Sequence, residues 1–441
     1  MKAEALDNKE ASRKARRPRR VLMFLENHFP EDVRVRQEAY KLIEAGYQVT
    51  IIAQFSEEGT KAREVINGVV VYRIPLITIF SKTAKRPDKD SRFATLHLTL
   101  FRIRSAIGYV FEYFYFTTAC FVMSLVVAAR GGFDVIHLHN PPNTPFIVGF
   151  FFKLFGKRFV FDHHDLAPEL YLSRYRIPSG FIHAILLLEE KLCLRAANMV
   201  ITTNESYKEI DIERGKKDPG SVFVVRNGPD LRDRIFQTVP PDPELKAMGK
   251  HILVYIGVMG PQDGVDYLLR SIWSLVHNFH REDFYCLIIG HGDELENLKH
   301  LAAELKLEKY VRFTDFIPKS DLIRYLSTSD ICLDPNPSNP LNDYSTWVKV
   351  LEYMAFGKPI VSFDLKETRF SAGDAAVYAR ANDEDDYARK IIHLMDHPEE
   401  RDVRGASGNK RMREVLAWQH VSRNLVEGYD FLFSRKDGRG K

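Results

Sequence analysis

Cysteine is scarce in this chain. There are four in 441 residues (Cys120, Cys193, Cys286 and Cys332), each alone in an apolar or helical setting. No C-x-x-C spacing occurs, so neither a disulfide framework nor a cysteine zinc site is indicated, and a reducing compartment is expected. Net charge is small as well, +4 from 63 basic and 59 acidic residues, and no nucleic acid is expected as a partner. No G-x-G-x-x-G follows either candidate first strand, which disfavours a dinucleotide-dependent dehydrogenase. No cleavable leader is expected, because the basic start runs straight into the strand-length Val21-Leu22-Met23-Phe24.

What is present is the makeup of a soluble globular protein, 45% hydrophobic and 28% charged, in a length that implies two domains. The basic excess gathers at the ends. Arg13, Lys14, Arg16, Arg17, Arg19 and Arg20 precede the first strand, and 434–441 reads Ser-Arg-Lys-Asp-Gly-Arg-Gly-Lys. Residues 1–19 and 435–441 are expected to be disordered tails. A tail held to anionic lipid, at roughly 1 kcal/mol per cation, and a tail merely solvated both stay open. One apolar run, 106–129, has Glu112 as its only acidic residue and is long enough to span a bilayer. Because the strand-like Asp134-Val135-Ile136-His137 follows directly, a long buried helix is expected there. The alternative is an aromatic face (Phe111, Tyr113, Phe114, Tyr115, Phe116) turned to a membrane surface.

Short apolar runs alternate with helical segments in both halves. Strands are expected at 20–25, 48–53, 69–74, 134–138, 159–162, 199–202 and 222–225, with a helix over 30–45 closed by Gly46. The proline-rich 229–243 reads as a linker. Further strands are expected at 252–256, 284–289, 311–313, 331–333, 360–363 and 376–378. The pattern predicts an α/β fold of two Rossmann-like domains, each a parallel sheet covered on both faces, facing a central cleft.

The richest stretch is 345–361, Ser-Thr-Trp-Val-Lys-Val-Leu-Glu-Tyr-Met-Ala-Phe-Gly-Lys-Pro-Ile-Val. It reads as a loop, a short helix, a glycine stop and a buried strand. Lys349 and Glu352, three apart, share one helix face near its start. Free N–H groups there suit a phosphate, and the carboxylate could accept from sugar hydroxyls. An ordinary βα unit with a solvated Lys–Glu pair fits the same residues.

Several segments, in order, resemble the family 4 glycosyltransferases, retaining and nucleotide-sugar-dependent enzymes of the GT-B fold. Val224-Val225-Arg226-Asn227-Gly228 resembles the step closing their first domain. Leu287-Ile288-Ile289-Gly290-His291-Gly292-Asp293 resembles their strand and G-x-G turn. Val311-Arg312-Phe313, Phe316-Ile317-Pro318 and Asp321-Leu322 match the next unit, and Glu352-Tyr353-Met354-Ala355 with Gly357-Lys358-Pro359 resembles E-A-M-A-x-G-x-P. Trp418 resembles the start of the helix that crosses back to the first domain. The resemblance implies an acceptor domain at 20–235, a nucleotide-sugar domain at 245–415 and a crossover helix at 416–434. It also implies Glu352 on sugar hydroxyls or ribose, and Lys349 on the diphosphate. Two departures stand out. The first of the family's two acidic residues falls at Tyr344, with Asp343 one place off, and its diphosphate-binding Arg and Lys are replaced by Val258 and Asp263. Lys349, the amides around Ser345 and Thr346, and close backbone approach at Gly257, Gly260, Gly264 and Gly290 are the candidates to hold the donor instead.

In the first half, Asp32, Arg34 and Arg36 form a charged loop after the first strand, where an Arg fork could bind an anionic acceptor or the donor diphosphate; helix capping with solvated arginines is the plainer alternative. His137-Leu138-His139-Asn140 and Asp162-His163-His164-Asp165 close two further strands and resemble the family's H-x-H and H-D steps. His139 and His164 are assigned to sugar or acceptor contacts, with Asn140 and Asp165 on the acceptor. Metal binding by His163, His164, Asp165 and Glu169 is disfavoured, since adjacent histidines point apart. The expectation is therefore a cytoplasmic glycosyltransferase, with peripheral contact to the inner face of the plasma membrane left open. It would move a sugar from a nucleotide-diphosphate donor (UDP-sugar first, GDP-mannose next) to a lipid-linked or growing glycan, with retention and no metal or other cofactor. A sugar-nucleotide epimerase and a non-catalytic nucleotide-sugar binding protein are the alternatives.

Overall fold

The computed structural model describes residues 17–55, 61–75, 77, 94–175, 179–233 and 236–434. Most of the first expected tail and all of the second lie outside them. The first sheet has the order β3-β4-β2-β1-β5-β6-β7-β8. Its strands are β1 Arg20–His28, β2 Gln48–Gln54, β3 Arg63–Ile66, β4 Val69–Ile74, β5 Val135–His139, β6 Arg158–His163, β7 Met199–Thr202 and β8 Val222–Val224. All neighbours are parallel except the β3–β4 hairpin. The second sheet, β11-β10-β9-β12-β13-β14, is wholly parallel. It comprises β9 His251–Ile256, β10 Phe284–Ile289, β11 Val311–Asp315, β12 Ile331–Asp334, β13 Ile360–Phe363 and β14 Ala376–Ala379. Each expected strand is present, and β1 runs on to His28. Only β3 was unannounced: four residues carrying Arg63 and Glu64 at a sheet edge give no apolar run to read.

Strand order reverses between β1 and β5 and between β9 and β12, the switch points where an open parallel sheet leaves a crevice beyond its carboxyl ends. The first-domain helices include α1 Val33–Glu44, α2 Ala94–Arg130, α3 Phe146–Lys153 and α4 Phe181–Ala196. In the second domain, α5 Val348–Ala355 follows β12. The last helix, α6 Trp418–Ser434, leaves the second domain and packs Trp418, Leu425, Tyr429 and Leu432 into the first-domain core. Asn424 Nδ2 ties it down by donating to the Val224 carbonyl at 2.7 Å.

One expectation is corrected. The apolar run 106–129 is helical, but it is not a buried helix. Phe116, Cys120, Ser124 and Val127 face the core, while Val110, Phe114, Val122 and Leu125 on the opposite side are exposed. A single helix can bury only one side against a sheet, so a run apolar all round must leave its other side uncovered.

The domains meet along a polar seam. Asn204, the N-cap after β7, donates to the Tyr344 carbonyl (2.7 Å) and to Thr346 Oγ1 (3.0 Å). Tyr207 Oη lies 3.0 Å from Ser345 Oγ, and Arg226 pairs with Glu367 at 3.4 Å. The loop entering α5 is thereby pressed against the first domain.

Candidate active site

At the carboxyl ends of β5 and β6 lies a buried charged cluster centred on Asp162. Arg34, on the first turn of α1, grips that carboxylate with Nε (2.8 Å) and Nη2 (2.7 Å), and Nη1 donates to the Val225 carbonyl (3.0 Å) and Asn227 Oδ1 (2.5 Å). Burial alone would raise the Asp162 pKa, but the guanidinium and neighbouring histidines hold it well below the usual carboxylate range. His139 Nδ1 is 2.8 Å from Asp162 Oδ2 and His164 Nδ1 is 3.5 Å away. Because Asp162 is anionic, it accepts a hydrogen bond from the Nδ1–H of His139, which leaves Nε2 as an acceptor without a hydrogen-bond partner among the described residues. Burial also lowers the His139 pKa, so the ring is neutral.

Behind these groups, Glu38 sits one helical turn from Arg34, 3.2 Å from its Nη2. Burial and the Asp162 charge push the Glu38 carboxyl well above its ordinary value. His137, stacked on His139 with ring centroids 4.3 Å apart, is kept neutral by burial and by its histidine neighbour. Tyr429 of α6 reaches it, Oη to Nδ1 at 2.9 Å.

Glu38, His137, His139 and Asp162 bring ligand-type atoms within 4.8 Å of one another, the arrangement a metal would need. A guanidinium already lies between two of the four, bonded to Asp162 and close to Glu38, so the cluster balances its charge internally. The set weighed from sequence is dispersed: His163 turns away to Asp211 (2.6 Å) and Glu190 (3.5 Å), while His164 turns to Asp162.

In the second domain, the residues before α5 carry no side-chain cap, since Trp347 stands at the N-cap. Lys349 is buried: Nζ bonds Asn336 Oδ1 at 2.7 Å and lies 3.8 Å from both Asp263 and Asp334. Its ammonium also sits over the Tyr255 ring, 4.7 Å from the centroid. Glu352 is a half-buried carboxyl with no hydrogen bond or ion pair among the described residues, and burial pushes it up to about 7. A desolvated group left unpartnered is costly unless something binds it, which marks it as a functional candidate.

Several of the expected site residues are turned to structural work. Asp32 caps α1, accepting from the Val35 amide at 3.0 Å, so the capping alternative holds for it. Arg34 faces inward to Asp162 rather than into the cleft, because a helix carries successive side chains to different faces. Arg36 bonds the Pro30 carbonyl at 2.7 Å but stays partly exposed. Asn140 clips the following loop, accepting from the His164 and Asp165 amides (2.9 and 3.1 Å) and donating to the Asp165 carbonyl (2.7 Å). Asp165 remains partly exposed. The glycines approach other loops: a Cβ at Gly290 would strike the Gly257 carbonyl, one at Gly264 the Pro335 carbonyl, and one at Gly260 the Gln262 side chain. Ser345 and Thr346 lie on the domain seam, with Ser345 Oγ donating to the Leu341 carbonyl at 2.8 Å.

Asp162, Glu38, Asn336 and Tyr429 were not singled out from sequence. Asp162 was legible in principle, two residues before His164 on an alternating strand and therefore on the same side. Tyr429, 292 residues from His137, carried no local signal.

Two family models match the chain: residues 32–228 match "Glycosyl transferase 4-like domain" and 250–397 match "Glycosyl transferases group 1". The D-inositol 3-phosphate glycosyltransferase of Thermomonospora curvata is 26% identical over 68% of this chain and 72% of its own length. The phosphatidyl-myo-inositol mannosyltransferase of Mycolicibacterium smegmatis is 24% identical, again over 68% and 72%. The chain spans only 56% of the phosphatidylinositol N-acetylglucosaminyltransferase GPI3 subunit of Saccharomyces cerevisiae, at 24% identity over 66% of this chain. Among solved structures, sucrose-phosphate synthase from Thermosynechococcus elongatus superposes with a TM-score of 0.69 at 17% identity, covering 94% of this chain and 99% of that one. Anabaena HepE in complex with UDP gives 0.64 at 12% identity, over 93% and 100%. At these identities the superpositions speak for the fold.

Proposed function

This chain belongs to the family 4 glycosyltransferases of the GT-B fold, and from that premise we propose that it moves a sugar from a nucleotide-diphosphate donor, UDP-sugar first and GDP-mannose next, to a lipid-linked or growing glycan with retention. The observation that carries the reading is the pairing of two half-sites. His139 and His164 sit on Asp162 at the β5 and β6 ends, and α5 opens at the domain seam with Lys349 and Glu352 on its first turns. Support for a nucleotide-sugar donor comes from relatives whose structures carry UDP, UDP-glucose or ADP. Two relatives are named for phosphatidylinositol, which favours an acceptor with a lipid anchor and a site of work at the cytoplasmic membrane surface, whereas a third is named for the lipid-free D-inositol 3-phosphate.

In this reading the donor lies against the start of α5, its diphosphate on the helix amides and its sugar hydroxyls on Glu352. Neutral His139 offers Nε2 to a sugar or acceptor hydroxyl, and His164 stands beside it at the cleft. The acceptor oxygen attacks the anomeric carbon from the face the diphosphate leaves, the C–O bond to phosphate breaks, and the acceptor proton passes to a departing phosphate oxygen. This route needs no metal. The test is transfer from UDP- and GDP-sugars to lipid-linked acceptors in excess EDTA, with product anomeric configuration read by NMR. An α-linked product supports the reading. A β-linked product removes retention, and a free epimerised sugar nucleotide without a glycoside removes transfer.

A further inference from the structure

We propose that the first domain lies flat on an anionic lipid bilayer through one apolar face built jointly by α2, α3 and α4, an inference that rests on and deepens the lipid-linked-acceptor reading. The three helices are contiguous. Phe121 of α2 packs edge-on against Phe151 of α3 with centroids 5.1 Å apart, and Lys153 at the end of α3 donates to the Ala196 carbonyl at the end of α4, at 2.7 Å. Their outer surfaces are strongly apolar. Val110 and Phe114 on α2, Leu154 and Phe155 at the end of α3, and Phe181 and Leu188 on α4 are each between 56% and 82% exposed. Scattered single apolar residues on a surface are ordinary, but a run of large ones across three packed helices is an interaction site.

The charges around this face select a bilayer. Every acidic residue on the three helices is withdrawn: Glu112 and Glu190 are buried, and Glu189 is half-buried with its carboxyl pushed up to about 7 by burial. Arg104, Arg130 and Arg195 stay exposed, and Lys153, Lys157 and Lys191 are partly so. Exposed apolar residues and cations, with no exposed acid on the same three helices, complement anionic headgroups over acyl chains. Val110–Arg130 also has the length and hydropathy to cross a membrane. It does not cross here, because Phe116, Cys120 and Val127 on its inner side belong to the domain core. The helix therefore lies along the interface, with the other side dipping into the lipid.

The experiment is flotation of the full chain with phosphatidylcholine vesicles, with and without phosphatidylglycerol. It compares the native chain, the triple variant Phe114→Ser/Phe155→Ser/Phe181→Ser, and a control, Val403→Ser, at an exposed apolar residue of the second domain. The native chain and the control should float with phosphatidylglycerol vesicles, and the triple variant should bind about tenfold or more weakly. Equal flotation of the triple variant overturns the proposal. So does a concentration-dependent dimer, in sedimentation without vesicles, that the triple variant abolishes while the native chain fails to float; the face would then be an interface between copies. Thermal stabilisation by UDP or GDP, read on the same preparations, is independent of this face. Its retention in the triple variant shows an intact fold, and its absence in every form would count against the donor reading while leaving the docking result standing.

Discussion

The Arg34 guanidinium holds the Asp162 carboxylate through two parallel hydrogen bonds, 2.8 and 2.7 Å, across 128 residues of sequence. Both groups are buried, so the pair lies in a medium where an unmatched charge is very costly. Asp162 in turn fixes His139, and α1 is thereby locked to the strand ends that carry both site histidines.

Asp162→Asn should therefore be damaging twice over. It removes the carboxylate that Arg34 grips and leaves only Glu38, 3.2 Å from Nη2, beside the buried guanidinium, a loss of up to about 3–5 kcal/mol, and it removes the anion that sets the His139 tautomer. Denaturant melts would show the first effect. Asp162→Glu, which keeps the charge, should recover much of the stability but less of the turnover, because the carboxylate is displaced. Native stability in Asp162→Asn would refute the pairing as a structural element.

Glu352 gives a pH signature. Its folded pKa of about 7 exceeds the ordinary 4.5, so the folded state is favoured most below 4.5 and loses that advantage as pH rises through 7. At pH 8, Glu352→Gln should be more stable than the native chain by on the order of 2–3 kcal/mol. If the carboxylate form holds the donor, native transfer rises with pH through about 7, and that rise disappears in the glutamine variant. Glu352→Ala should cut transfer by orders of magnitude with the fold intact.

Lys349 has two roles to separate. Lys349→Ala strips the counter-ion from Asp263 and Asp334, whose carboxyls burial already raises despite the lysine, and should lower stability by about 2–4 kcal/mol. Adding Asp334→Asn removes one of the stranded charges and should restore part of that loss. If the ammonium also contacts the diphosphate, nucleotide affinity stays weakened in the double variant. Calorimetry with UDP and GDP decides, and native affinity in the double variant would take Lys349 out of the donor site.

His163 is a structural titrator. Burial alone would lower its pKa, but Asp211 at 2.6 Å and Glu190 raise it to about 10. Its contribution is complete below the unfolded value near 6.5 and is lost as pH rises through 10, on the order of 3 kcal/mol or more. His163→Gln should melt lower at neutral pH and should flatten the stability profile between pH 7 and 10. A parallel profile would mean the ring is neutral.

The architecture is written locally in the chain. Apolar runs of strand length at 48–53, 69–74, 284–289 and 360–363, separated by helical patterns, are the physical requirement of strands buried on both faces of parallel sheets, and they can be read without knowing their neighbours. Motif order named the family, and Glu352 could be picked out because it stands three residues after Lys349 on one face of a short helix and opens the segment that resembles E-A-M-A-x-G-x-P. Which side chains are free to act was settled only by folding. Asp32, Arg34 and Asn140 read as cleft residues because they follow strand ends, yet each meets a backbone or carboxylate partner that the fold brings to it. Asp162 becomes the centre of the first half-site only when α1, β5 and β6 converge. The apolar run 106–129 could not declare whether it was core or surface, since hydropathy records how much apolar area a segment has, while the sheet it packs on fixes how much of that area is covered.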